Sequence, residues 1–172
     1  HGLQIIGIEG GAVFTKDGGY LASYRNHHSK RREMARFSAK DSEAYERYSR
    51  DVTRQCRFIQ PLLMRTAPDP ASFKIRDISE VFYLIKQFNN LTPDQMAETI
   101  RFWTMSISDY LDGYFENDVI KASLAVSGII GTALGPMSPG SAYVLLHHYM
   151  GEVDGSIGSW GYARGGTVSY TH

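Results

Sequence analysis

Residues 117–166 read NDVIKASLAVSGIIGTALGPMSPGSAYVLLHHYMGEVDGSIGSWGYARGG. The segment predicts an almost wholly apolar helix over 119–130, a small-residue loop over 131–140 and a second apolar helix over 142–150. Helices with so little polar surface must be covered by something else. A loop built mostly of Gly, Ala, Pro, Ser and Met lets backbones or a ligand approach closely. The stretch therefore reads as the wall of an apolar pocket, which the rest of the chain helps to cover.

Working outward, residues 3–26 hold three short strand candidates, LQIIGIEG, AVFTKDGG and YLASYR. Gly10-Gly11 and Asp17-Gly18-Gly19 are the turn signals between them, so a β meander over residues 1–26 is expected. From residue 37 to 166 the pattern is helical. Ser38 caps a helix with Asp41 at the capping-box position, and Tyr45, Tyr48, Val52, Cys56, Ile59 and Leu63 recur at steps of three and four. Pro61 should bend or shorten its end. A short helix is expected over 78–88, with Asn89-Asn90 as its stop. Thr92, Pro93 and Gln95 make the best-formed helix start in the chain, and Ala97, Ile100, Trp103, Ile107 and Leu111 share one face after it. Asn117 caps the first apolar helix, and Ser138-Pro139 opens the second. The expected fold class is α+β, mainly helical with a small antiparallel sheet, in a single domain over 1–172.

Composition narrows the function. Eighteen basic residues balance eighteen acidic ones, which argues against a nucleic-acid partner. The one local excess is RNHHSKRREMAR at 25–36; it reads as a solvated turn and helix start, or as a patch for an anionic ligand or a membrane surface. The single cysteine, Cys56, rules out an intrachain disulfide and fits a reducing compartment, so a cytoplasmic location is expected. No apolar run approaches the roughly 20 residues of a spanning helix.

The motifs of common catalytic sites are absent. There is no G-x-G-x-x-G after a strand, no G-x-x-x-x-G-K and no G-x-S-x-G elbow. Gly155, Gly158 and Gly161 recur every third residue, as a loop or as backbone that passes close to a ligand. Adjacent His147 and His148 diverge by about 100° on a helix and rarely share a metal, so no metal site is expected. Trp160 and Tyr162 could flank a flat ligand or pack under the loop.

Three segments, SPGSAYVLLHH (138–148), GSWGYARGG (158–166) and FSAKD (37–41), together resemble the phytoene-desaturase-like branch of FAD-dependent oxidoreductases, among the pyridine nucleotide-disulfide oxidoreductase domain proteins. In such proteins a glycine-rich dinucleotide-binding unit precedes the matched region, and a further FAD-binding part follows the Gly-Gly pair. The resemblance implies that this chain is the substrate-binding part of a longer enzyme, without most of its flavin site and inactive alone. It implies flavin contacts at Gly165 and Gly166, although residues 167–172 (TVSYTH) depart from the family pattern. It implies oxidation of a hydrophobic substrate, with the chemistry on FAD and no catalytic side chain here. The pocket-lining candidates are Met137, Tyr143, His147, Trp160 and Tyr162. A fragment of this kind should self-associate to cover apolar surface and strand margins. The rival readings are a stand-alone helical interaction module and a lipid or isoprenoid carrier.

Overall fold

The computed structural model describes residues 3–153 and 156–166. Two β-strands, β1 (Ile5–Gly7) and β2 (Gly10–Phe14), precede β3 (Tyr20–Tyr24). Helices α1 (His27–Ala35), α2 (Ala39–Leu63), α3 (Ile75–Asn89), α4 (Pro93–Thr104), α5 (Ile107–Asp112), α6 (Asp118–Ala125) and α7 (Ser141–Tyr149) follow. Three short strands close the described chain: β4 (Glu152–Val153), β5 (Ser156–Ile157) and β6 (Gly161–Ala163). The class is α+β, mainly helical with small antiparallel sheets.

The strands do not form a meander. β2 and β3 make a hairpin whose turn is the expected Asp17-Gly18-Gly19; Gly18 takes φ 84° there. Gly10 and Gly11 lie within β2 rather than in a turn. β1 instead pairs antiparallel with β6, setting Ile5 opposite Ala163 and Gly7 opposite Gly161. Gly161 is required at this pairing, because a Cβ there would lie 2.5 Å from Cγ2 of Ile5. Sequence reasoning assigned β1 to its nearest neighbour, whereas the better partner lies about 150 residues away.

The core runs along α2. Tyr45, Tyr48, Val52, Cys56 and Ile59 are all buried, as the spacing predicts, whereas Leu63 is exposed at the last position of the helix, beyond Pro61. Tyr48 is fully buried and contacts the rings of Tyr45, Tyr110, Tyr114 and Phe115. Leu145 and Leu146 of α7, Ile107 and Leu111 of α5 and Ile120 of α6 complete the buried cluster. Ser38 caps α2 as expected, accepting from the Asp41 amide. The Asp41 carboxylate does not close a capping box. It accepts from the amides of Glu116 and Asn117 at 3.0 and 2.9 Å and so ties the start of α2 to the start of α6.

The chain punctuates its helices more often than its apolar spacing suggests. Thr92 and Gln95 form the capping box of α4, but α4 stops at Thr104 and Ser106 caps a separate α5. On α4 the buried residues are Thr99 and Phe102, and Ile100 faces outward. Asn117 caps α6 by accepting from the amides of Val119 and Ile120. That helix ends at Ala125 and passes through one 3-10 turn, Val126–Gly128, rather than continuing to Ile130. The cap of α7 is Gly140, at φ 82°, rather than Ser138. Ser141 then accepts from the Ile107 amide at 2.8 Å and donates to the Ser138 carbonyl at 2.7 Å, joining the loop, α5 and α7.

Candidate functional site

A cleft of about 690 Å³ opens beside α2. Tyr45, Ser49, Val52, Cys56 and Gln60 form its floor, at the three-to-four spacing of one helix stripe. At about 1.5 Å per residue this floor runs for roughly 22 Å. Leu124, Val126, Ser127 and Ile130, from the end of α6 and the turn after it, form one wall. Ser23, Tyr24 and Arg25 at the end of β3, with His27 and Lys30 of α1, form another. His148, Tyr149, Met150, Ser159 and Trp160 close the far side. The β1–β6 pairing supports that side, since the Ile8 amide donates to the Trp160 carbonyl at 2.8 Å.

The charged groups lining the cleft have one sign among the described residues: Arg25, Lys30 and Arg57 line it together with His27 and His148, and no described Asp or Glu does. Lys30 Nζ lies 5.2 Å from the centroid of the Tyr45 ring, a cation–π contact. Burial acts to lower the ammonium's pKa, but the Tyr149 and Tyr45 phenols outweigh it and hold the value above the usual lysine range. The Lys30 side chain is therefore a cation at neutral pH. Burial raises the pKa of Tyr45, and it raises that of Tyr48 far more strongly, so both phenols stay neutral donors. The Tyr48 hydroxyl donates to the Tyr149 hydroxyl at 3.3 Å, which leaves the Tyr149 proton free to point elsewhere. Cys56 is no nucleophile here: burial lifts its thiol to about 11.

Among the sequence candidates, Trp160 lines this cleft, and it stacks on His148 with ring centroids 5.1 Å apart and planes 17° from parallel. His148 Nε2 lies 3.2 Å from the Ile130 carbonyl, a geometry that calls for the proton on Nε2. The neighbouring His147 lies off the cleft and packs edge-on to Tyr143, with centroids 5.2 Å apart; Tyr143 in turn meets Trp103. Met137 is 80% exposed on the 131–140 loop, and Tyr162 is 72% exposed on β6. Gly165 and Gly166 form a left-handed turn after β6, with φ 86° and 75°. The structure thus brings none of Met137, Tyr143, His147 and Tyr162 to the cleft that receives Trp160. Among the periodic glycines, Gly158 lines the cleft, Gly161 serves the strand pairing, and Gly155 lies outside the described residues.

Lys30 and Tyr149 are cleft residues that sequence reasoning passed over, and of the two adjacent histidines it chose His147 where the cleft receives His148. Lys30 was legible only as one cation in a basic stretch. Tyr45 and Cys56 were legible as an apolar stripe, yet the stripe serves both the core and the cleft floor. Among the described residues no group of three His, Cys, Asp or Glu side chains is placed to hold a metal ion. Nor is any described helix long and apolar enough to cross a membrane.

The described residues thus form an α+β unit with an open cleft whose lining includes a stacked His–Trp pair. The chain is similar to the pyridine nucleotide-disulfide oxidoreductase domain-containing protein 2 of mouse, with 37% identity over 142 residues. It is similar to the rat protein of the same name at 36% over 142 residues. Each match covers 78% of this chain and 24% of the relative, so the chain spans about a quarter of the length of the curated proteins it matches. The similarity supports a relationship to oxidoreductases. No family model matches the chain, and no solved structure matches it.

Proposed function

We propose that this chain is the substrate-binding part of a flavin-dependent oxidoreductase of the phytoene-desaturase-like kind, acting on a largely hydrophobic substrate. The observation that carries the reading is the cleft beside α2. Its apolar surface comes from Val52, Cys56, Leu124, Ile130 and Met150, and Trp160 lines it beside His148. The relatives' shared oxidoreductase name supports the same reading.

The described residues do not fit the pyrophosphate of a dinucleotide. Their strands are two-stranded antiparallel pairs, with no parallel strand–helix–strand unit to present a helix N-terminus to phosphates. Under this reading FAD is held by other parts of the longer protein. The contribution of this chain is to bind and orient the molecule to be oxidised and to keep water from its apolar length.

The test uses the intact protein from its natural reading frame. It should purify with a flavin absorption spectrum, and anaerobic addition of an apolar polyene should bleach that spectrum. Filling the cleft with Ser127→Trp should slow the bleaching by about tenfold or more, because a displaced substrate loses its positioning. An intact protein without flavin, or one whose reduction ignores the cleft-filling change, sinks the reading.

A second reading, an interaction module, is favoured by α3. Phe73, just before the helix, is 93% exposed, Ile75 and Phe82 on it are 88% and 67% exposed, and Ile78 and Ile85 face outward as well. Apolar stripes of this kind mark docking or self-association. Under this reading the stripe meets a protein partner; self-association of the isolated chain, seen as more than the monomer mass by light scattering at high concentration, is expected under either reading.

A further inference from the structure

From the Lys30 end of the cleft we infer that the ligand is an amphiphile with an anionic head, a carboxylate or a phosphate, seated against Lys30, Tyr45 and Tyr149 with its apolar body along α2. The inference rests on the proposed substrate cleft and adds the class of molecule that enters it.

Three observations converge. First, the charged lining is all basic among the described residues, in a chain whose total charges balance at eighteen of each sign. Second, Lys30 has no carboxylate within ion-pair reach among the described residues, unlike Lys40, Lys121, Arg54 and Arg65, which all pair with acids. Its ammonium instead rests against the Tyr45 ring. The groups beside this ammonium are neutral phenols rather than a formal negative charge, and an incoming anion supplies that charge. Third, the groups beside it are donors. The neutral Tyr45 phenol and the Tyr149 hydroxyl, which already accepts from Tyr48, can both turn a proton toward an anion, and Ser23 and Ser123 stand by as further hydroxyls on the lining. Away from this end the floor and walls become apolar at Val52, Cys56, Leu124 and Ile130. A roughly 22 Å floor accommodates a long acyl or isoprenoid body.

The experiment is a fluorescence titration of the intact protein with cis-parinaric acid and with its neutral methyl ester. The acid should bind about tenfold or more tighter than the ester, as expected for a charge-assisted contact. Lys30→Met should remove that preference, bringing the affinity for the acid down to that for the ester. Lys30→Arg should retain it, and Tyr45→Phe should weaken the acid alone by about threefold. Circular dichroism melts check that each variant folds; if Lys30→Met does not, Lys30→Arg and Tyr45→Phe carry the comparison. Displacement by oleate identifies a carboxylate head, and displacement by oleoyl lysophosphatidate a phosphate head; either supports the anion. Equal affinity for acid and ester, or a preference that survives Lys30→Met, overturns the head-group assignment while leaving the apolar cleft intact. Binding of neither probe overturns both readings.

Discussion

Helices α2 and α3 carry comparable apolar stripes and treat them in opposite ways. The α2 stripe is buried from Tyr45 to Ile59, and its neighbours answer it with rings and with Leu145, Leu146 and Ile107. The α3 stripe, Ile75, Ile78, Phe82 and Ile85, faces outward, and what holds that helix is its other side. There Arg65 bridges to Glu80 with two hydrogen bonds of 2.6 and 2.9 Å and lies over Tyr83, and Phe88 meets Phe58 and Trp103. Amphipathic spacing therefore says that a face seeks cover, while the surrounding chain decides whether cover is supplied.

The sharpest way to break this contrast is Tyr48→Ala. Removing a fully buried ring that four others contact should cost about 3–5 kcal/mol in chemical unfolding. A loss below about 1 kcal/mol would mean that the α2 stripe is no better packed than α3. Next comes Ser141→Ala, which strips the Ile107 amide of its buried acceptor. A loss of about 1–3 kcal/mol is expected by the same measurement, and a neutral result would show that the α5–α7 joint finds another partner for that amide. The smallest effect belongs to Phe82→Ser on the open stripe. Stability should stay within about 0.5 kcal/mol of the parent chain, while any self-association seen by light scattering should weaken. A large loss of stability there would show that α3 is covered after all.

The local signals were read well where the chemistry is local. Ser38, Thr92 with Gln95, and Asn117 cap the helices they were expected to cap, because a side-chain oxygen three residues or fewer from an orphan amide needs no help from the fold. Spacing placed the α2 core for a similar reason. It failed on α4, where Ile100 faces out and Thr99 is buried, because two stripes of similar strength were available and packing chose between them. The adjacent histidines show the limit most clearly. His147 and His148 are equivalent as letters, and only the position of Trp160 and the Ile130 carbonyl puts His148 on the cleft.

By itself the sequence determined the α+β class, the helix starts and the main buried stripe, all of which depend on contacts within a few turns of chain. Tertiary structure alone decided that β1 pairs with β6, that Asp41 ties α2 to α6, and that Lys30, Tyr45 and Tyr149 share one end of a cleft. Those contacts join residues roughly 75 to 160 positions apart or side chains from three different helices. Their energy exists only once the chain has closed, so no local pattern records it.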